Sequence, residues 1–291
     1  MIRLRLSIDL HYDVLQPDAA FIFNLQCAQT PCQRVVQEQL QVSQPIPLLM
    51  HTDAASQSRY LRLSAAPGVL RVGYRALLDL HHHAAAPASI EEVPVARLPP
   101  EVLTYIYPSR YCPSDQMGTL ALQHFGALPR GYARVEAIQR WVQQQIRFTP
   151  NSSNATTSAL DTLRSGAGVC RDFAHLMIAL CRALSIPARI ATGIDYGADP
   201  ALGPTDFHAY VEVFLGQHWY LFDPSGTAIP MGFVRIGTGR DAADVSFATI
   251  IGNVRATVPP VLAIEALQDA AAGWVLPHHR TEALSTSAGV F

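Results

Sequence analysis

The sequence carries little charge and no excess of either sign. Only 15% of the 291 residues are charged and the formal net charge is −2, so no basic patch would attract nucleic acid or an anionic membrane. No apolar run reaches the ~18 residues that a membrane-spanning helix needs. The first residues alternate apolar and polar side chains instead of forming the continuous apolar core of a signal peptide. We therefore expect a cytoplasmic protein without nucleic-acid or membrane partners.

Cysteine is also scarce, and its spacing argues against disulfides and metal sites. The five cysteines include no CxxC pair, which favours free thiols in a reducing compartment. Cys170 and Cys181 would lie about 16 Å apart along one helix, too far to share a zinc ion with sulfur ligands at ~2.3 Å. The histidine run 81–83 could bind a transition metal weakly, but we interpret it as an exposed polar turn. With no calcium-loop spacing present, we expect neither a metal nor a cofactor.

The first 80 residues have the pattern of an all-β domain. Apolar and polar residues alternate from Ile2 to Leu10, which is the period of a half-buried strand. Four further short strand candidates follow without a helical pattern between them, so we predict a β-sandwich-like domain over 1–80. Four prolines within 81–100 indicate a linker. The further strand candidates are 20–27, 34–42, 59–65 and 69–78.

After Pro100 the pattern changes to helices followed by strands. We predict a second domain over 101–265, and a loose tail over 266–291, where no clear pattern is present. Helices are predicted at 114–125, 134–147, from 158 to about 165, and from Cys170 onward. Strands are predicted at 188–195, 207–215, 218–223, 233–237 and 249–258.

Cys170 occupies a position suited to a nucleophilic thiol. It follows a glycine-broken loop and opens a long apolar helix, where unpaired backbone N–H groups and the helix dipole stabilise a thiolate. Further along the chain, His208 lies within one predicted strand and Asp223 ends the next. A nucleophile, a base and an orienting acid are the set that cysteine acyl transfer requires.

Hairpin geometry supports a contact between His208 and Asp223. The residues 216–217 form a two-residue turn between the two strands. The resulting register places His208 opposite Ser225, so that His208 and Asp223 are diagonal neighbours on one face, with backbones ~7–8 Å apart. A one-residue bulge would separate them. A buried structural histidine is the alternative interpretation of His208, but the shared face and Cys170 favour catalysis.

The face of the predicted strand that carries His208 also carries Tyr210 and Glu212. We therefore expect this face to be polar and to line a cleft.

Four other residues are weaker candidates for a functional role. His175 lies about 140° around the helix from Cys170 and should point elsewhere. Cys181 is predicted to be an inert buried side chain, and Cys112 to have a structural role in a loop. Trp141 could donate its indole N–H near the site, although helix packing explains it better.

The sequence resembles the transglutaminase-like superfamily, specifically its bacterial members described as cysteine proteases. The likeness covers about residues 100–260, and the β-rich N-terminal region also fits that family's usual first module. This chain has FHAY at 207–210 where family members often have SHAW, which leaves the histidine in place. The matching motifs are GVCRDFAHLMIALCRALSIPAR at 168–189, FHAYVEVF at 207–214 and FDP at 222–224, with weaker matches PSRYCPSD at 108–115, IRFTPNSS at 146–153 and GRDAADV at 239–245.

This resemblance implies an α+β fold with a papain-like core. A helix carrying the cysteine packs on an antiparallel sheet carrying the histidine and the aspartate, and the all-β sandwich-like domain precedes this core. Carried over by motif, Cys170 is the nucleophile, His208 is the general base and acid, and Asp223 holds the imidazole. The backbone N–H of Cys170 is then the expected oxyanion donor.

Three functions fit these residues. In a cysteine hydrolase, Cys170 attacks an amide carbonyl of a protein or peptide substrate, and water releases the thioester intermediate. In a protein-glutamine γ-glutamyltransferase a primary amine replaces the water, and the same three residues serve both reactions. A catalytically silent binding scaffold is the third function, which the presence of all three residues disfavours. We expect the hydrolase, and the apolar edge strands of the first domain leave a homo-oligomer open.

Overall fold

The computed structural model describes residues 1–198, 201 and 205–287 of the chain. The α-helices are α1 (Gly118–Phe125), α2 (Tyr132–Gln145), α3 (Ala159–Ser165) and α4 (Cys170–Ala183). The strands are β1 (Ile2–Val14), β2 (Ala19–Phe23), β3 (Gln33–Val42), β4 (Leu49–Thr52), β5 (Arg59–Ala65), β6 (Gly68–Leu80), β7 (His83–Ala85), β8 (Arg147–Phe148), β9 (Ala167–Gly168), β10 (Ala188–Asp195), β11 (Phe207–Leu215), β12 (His218–Phe222), β13 (Phe233–Gly239), β14 (Ala248–Ile251), β15 (Val254–Ala256), β16 (Val261–Leu267) and β17 (Ala283–Ser285).

Two antiparallel sheets form the N-terminal β region. In one sheet, β1 lies between β6, which also pairs with β3, and the two strands β15 and β16. The other sheet has the order β14-β2-β5-β4. The alternating apolar residues of β1 are buried in one core with Phe21 and Phe23 of the second sheet, which confirms the predicted alternation. Because β14, β15 and β16 come from residues 248–267, the chain returns to this region late in the sequence.

A second core forms where α4 packs on an antiparallel sheet. This sheet has the strand order β13-β10-β11-β12-β17-β7. Every α4 residue from Asp172 to Arg182 is buried, and the apolar side chains of that stretch share a core with Ile190, Val211 and Val213 of the sheet. The predicted arrangement, a cysteine-bearing helix on an antiparallel sheet, is therefore confirmed.

Two segments predicted near the C-terminal end differ from the structure. The single strand expected over 249–258 is two strands, because the chain turns at Gly252 with φ of +130°. The expected loose tail is wrong for Ala283–Ser285, which forms the buried strand β17 between β12 and β7. Three residues are too few to produce a recognisable period. The residues 288–291 of that predicted tail lie outside the described residues.

The helices are short. The longest, α2 and α4, have 14 residues each. Within the ranges that the structure describes, no helix has the length and apolar character needed to cross a bilayer.

Candidate active site

The loop before α4 fixes the position of Cys170. Cys170 is the first residue of α4 and is half-buried. The carboxylate of Asp172 accepts a hydrogen bond of 2.9 Å from the N–H of Val169, which caps the first turn. A Cβ added at Gly168 would lie 2.7 Å from the Cβ of Asp172, so this loop packs too closely on its cap to carry a side chain there. Cys170 is therefore held rigidly at the helix start.

The hairpin that carries His208 has the predicted register. Leu215 pairs with His218, and both turn residues have positive φ, +53° at Gly216 and +70° at Gln217. Positive φ at both positions is characteristic of the type I′ turn, whose twist matches that of paired strands. The predicted two-residue turn is thus confirmed, and it aligns the end of β12 with the start of β11.

The imidazole of His208 lies between two carboxylates. Its Nε2 is 3.5 Å from Oδ1 of Asp223 and 3.5 Å from the hydroxyl of Ser225. On the other side of the ring, Nδ1 is 3.4 Å from Oδ2 of Asp195. The side chains are 11% exposed for His208, 4% for Asp223 and 2% for Asp195, so solvent screens these contacts weakly.

Asp223 is held by three hydrogen bonds besides its contact with His208. Its Oδ1 accepts from the backbone N–H of Ser225 at 3.0 Å and from the Ser225 hydroxyl at 2.6 Å. Its Oδ2 accepts from the backbone N–H of Ala228 at 3.1 Å. A carboxylate fixed in this way can set the orientation of an imidazole.

The charges around His208 favour its protonated form. Burial lowers the pKa of His208, but the negative charge of Asp195, with contributions from Cys170 and Asp223, raises that pKa well above its ordinary value. Burial disfavours the charged form of Asp223 too, which by itself would raise the pKa of this carboxyl. Its contacts with His208 and Ser225 outweigh burial and bring that pKa below the ordinary value. Asp195 differs, since burial raises its pKa to about 6 although the charge of His208 opposes the shift. The site is therefore built to hold an imidazolium.

A cavity of about 850 Å³ opens onto these residues, and both Cys170 and His208 line it. Phe207 and Phe247 stack in its wall with ring centroids 4.5 Å apart. Asn24, which follows β2, also lines it, so the N-terminal β region contributes to the cavity. The size is that of a typical small-molecule or peptide pocket. Among the residues that the structure describes, no group of three or more His, Cys, Asp or Glu side chains is arranged to hold a metal ion.

The weaker candidates lie away from this cavity. Cys112 and Cys181 are fully buried, and burial raises the pKa of both thiols. His175 is buried, stacks on Tyr111 and accepts a hydrogen bond of 3.1 Å from the N–H of Ala242. Trp141 packs edge-on against Phe125. The histidine run 81–83 enters β7 at His83.

The face of β11 beyond His208 is not the polar cleft wall that its sequence suggests. Tyr210 and Glu212 are both fully buried. Glu212 forms ion pairs of 2.6 Å with Arg189 and 3.3 Å with Arg235. Arg189 comes from β10, which pairs with β11, and Arg235 comes from β13 on the far side of β10. This strand order could not be predicted from the sequence.

Asp195 is the residue near His208 that the sequence did not reveal. It ends β10, whose pairing with β11 sets Gly193 opposite His208. Asp195 is therefore a diagonal neighbour of His208 on the same face. The chain between β10 and β11 runs over 196–206, and so long a connection does not reveal from sequence which residues of the two strands pair. The two-residue turn between β11 and β12 does fix that pairing, which is why Asp223 could be placed near His208.

Two family models match the chain. The one described as transglutaminase-like superfamily matches residues 120–224, which contain Cys170, His208 and Asp223. The one described as bacterial transglutaminase, N-terminal domain, matches residues 2–101. Together they cover the strands β1 to β7, the helices α2 to α4 and the strands β10 to β12.

Similar proteins include one solved structure that spans nearly the whole chain. A "putative cysteine protease" from Cytophaga hutchinsonii is 36% identical, covers 98% of this chain and 97% of its own, and superposes with a TM-score of 0.89. This confirms the α+β fold with an N-terminal β domain. An uncharacterized protein of Mycobacterium leprae is 32% identical over 117 residues, which are 38% of this chain and 42% of that protein. An uncharacterized protein of Mycobacterium tuberculosis is 31% identical over 115 residues, which are 36% of this chain and 37% of that protein. The match thus spans less than half of these curated relatives.

Proposed function

This chain belongs to the transglutaminase-like superfamily, and from that premise we propose that it is a cysteine hydrolase acting on peptide or glutamine amide bonds. One observation carries the proposal. His208, held beside Asp223 at 3.5 Å, lines the same cavity as Cys170 at the start of α4. A thiol, an imidazole and a carboxylate on three rigid elements are the parts that thioester chemistry needs.

In the proposed reaction, the sulfur of Cys170 attacks the amide carbonyl carbon while His208 accepts the thiol proton. Because Nε2 of His208 faces Asp223, Nδ1 is the nitrogen that exchanges this proton. The C–N bond then breaks, the imidazolium protonates the leaving amine, and a thioester remains on Cys170. His208 next takes a proton from water as the water oxygen attacks the thioester carbonyl carbon. The C–S bond then breaks, the carboxylic acid product leaves, and the imidazolium returns its proton to the sulfur of Cys170.

The oxyanion of the tetrahedral intermediate also needs a donor. The first backbone N–H groups of a helix have no partner within that helix. The N–H of Cys170, the first residue of α4, is the donor we propose, and a donor at such a position contributes about 3 kcal/mol to catalysis.

Cleavage of a mixed peptide library that includes glutamine-containing peptides, followed by mass spectrometry and ammonia release, tests the proposal. Turnover should fall about 10⁶-fold in Cys170→Ala. The matched control is Cys181→Ala, a buried cysteine on the same helix, which should keep the parent rate. Undiminished turnover in Cys170→Ala would contradict the proposal.

A labelled primary amine added to the same reaction distinguishes water from an amine as the acyl acceptor. The hydrolase predicts that cleaved peptide or free ammonia accumulates with little amine incorporated at low amine concentration. Amine incorporation that exceeds hydrolysis under those conditions would instead assign protein-glutamine transglutaminase activity.

A reducing, cytoplasmic location is the compartment we propose. All five cysteines are free in the structure, in line with the free thiols that reducing compartments maintain. Cell fractionation of the native producer with an antibody to this chain tests this location, and recovery outside the cytoplasm would contradict it.

A further inference from the structure

A second aspartate faces the catalytic imidazole from the strand opposite Asp223. Asp195 ends β10, and Oδ2 of its carboxylate lies 3.4 Å from Nδ1 of His208. This is the nitrogen that does not face Asp223. The β10–β11 ladder is regular at this point, with Gly193 opposite His208, so a fixed register supports the contact and no flexible loop is involved.

Asp195 is unusual because little else compensates its charge. The residue is 2% exposed, and within the described part of the chain neither of its carboxylate oxygens has a hydrogen-bond partner. Asp223, by contrast, accepts three hydrogen bonds. Burying an ionised carboxylate without a partner costs several kcal/mol. The imidazole of His208 is the group within ion-pair distance that can offset this cost, and only when it is protonated.

The other titratable groups around this pair are few. The charges that act on Asp195 are those of His208 and Asp223, and the hydroxyl of Tyr210 on β11 also faces it without making an ordinary hydrogen bond. His208 is in turn influenced by Cys170 of α4. Apart from His208, each of these groups is neutral or negative, so none of them can replace the imidazolium as the positive partner of Asp195.

We propose that Asp195 is a positioning residue that keeps the proton on Nδ1 of His208 after that proton has left Cys170. This inference rests on the proposed function. Asp223 then orients the ring through Nε2, and Asp195 stabilises the charge that develops at Nδ1. No proton moves to Asp195 in this step: the proton leaves the sulfur and arrives at nitrogen, and the carboxylate stabilises the resulting thiolate–imidazolium pair by its charge.

The proposal has a consequence for pH dependence. His208 must be an imidazolium to protonate the leaving amine. An opposite charge within about 4–6 Å raises the pKa of an imidazole by about one to three units. Removing the charge of Asp195 should therefore lower the pH at which His208 loses its proton, and the alkaline limb of the pH–rate profile should move to lower pH with it.

The test compares the parent with Asp195→Asn, which keeps the shape of the side chain and removes its charge. The NMR titration of the His208 ring in the intact protein is the main measurement, because it needs no substrate. Its midpoint should fall by about one unit or more in Asp195→Asn. The matched control is Asp206→Asn, an exposed aspartate that lines the same cavity. Among the described residues, His208 forms ion pairs with Asp195 and Asp223 and none with Asp206, so this variant should move the midpoint far less.

The outcomes separate this inference from the proposed function. An unchanged His208 midpoint in Asp195→Asn would overturn the role of Asp195, even if peptide turnover depends on Cys170. Turnover that persists in Cys170→Ala would overturn the hydrolase, whatever His208 does. Asp195→Ser, whose smaller side chain leaves room for water, is the second variant if Asp195→Asn does not fold, and the same downward shift is expected of it.

Discussion

The Nε2 atom of His208 lies 3.5 Å from Oδ1 of Asp223 although no ladder hydrogen bond joins their strands at that point. The β11–β12 pairing ends at Val211 and Phe222. Asp223 is instead fixed by donors from the turn that follows, at Ser225 and Ala228. The hairpin register brings the two residues to one face, and the turn completes the contact. Substitutions in the turn can therefore weaken the contact between His208 and Asp223 without changing the hairpin register.

Asp223→Asn should lower kcat by about 10²–10⁴-fold with little change in KM, because the ring of His208 loses its orienting charge while substrate contacts stay. Steady-state kinetics on a peptide substrate measures this split. Ser225→Ala removes one hydrogen bond to the carboxylate and should reduce kcat less. A rise in KM with constant kcat would assign Asp223 to substrate binding instead.

Thiol labelling of the folded protein should modify one cysteine of the five. Burial raises the pKa of Cys27 and of Cys112 to about 12 and also raises that of Cys32. Cys170 is the half-buried exception. Iodoacetamide at neutral pH, followed by peptide mass spectrometry, should find the label on Cys170. Equally fast labelling of Cys112 would contradict the packing described for its loop.

His175 should make the protein sensitive to acid. Burial lowers its pKa to about 4, below the ordinary value of about 6.5. The unfolded chain therefore binds a proton more readily, so the stabilisation present above pH 6.5 is lost as pH falls toward 4. The loss should be about 3 kcal/mol in the free energy of unfolding.

Urea unfolding at a series of pH values measures this effect in the parent and in His175→Gln. Glutamine can still accept the hydrogen bond from the N–H of Ala242 that the imidazole accepts. The difference in unfolding free energy between the two proteins should therefore change by about 3 kcal/mol between pH 6.5 and 4. A constant difference over this range would show that His175 does not titrate as described.

Glu212→Ala should destabilise the fold by about 3–5 kcal/mol, since it leaves two buried cations without their partner. Glu212 pairs with Arg189 and Arg235 and accepts a 2.6 Å hydrogen bond from Thr286. Chemical denaturation measures the loss. The matched control is Glu265→Ala, which removes an exposed ion pair with Arg5 and should change stability by at most about 1 kcal/mol. Equal effects would contradict the burial of Glu212.

Short-range patterns in the sequence predicted much of the second core. The apolar helix from Cys170 and the strands 188–195 and 207–215 match the structure. The two-residue turn at 216–217 fixed the hairpin register, because in so short a connection the turn type determines which residues pair. The sequence therefore predicted that His208 and Asp223 would meet, and their catalytic roles remain a proposal.

Long-range relationships could not be predicted in this way. The 196–206 connection leaves the β10–β11 register undetermined, so Asp195 was missed. The strand β17 pairs residues 283–285 with strands much earlier in the chain, and three residues carry no period. Glu212 resembled a cleft residue because its cationic partners lie on other strands. In each case the sequence does not reveal which distant segment lies beside the residue or strand in question. That neighbour is determined only when the chain folds.

The central claim is that Cys170 and His208 act as one activated pair. The rate of Cys170 alkylation against pH, read by peptide mass spectrometry in the parent and in His208→Ala, tests it most directly. Alkylation should be fast well below pH ~8.5, the range of an ordinary thiol, and this low-pH reactivity should disappear in His208→Ala. Alkylation that rises only near pH ~8.5 in both proteins would contradict the account.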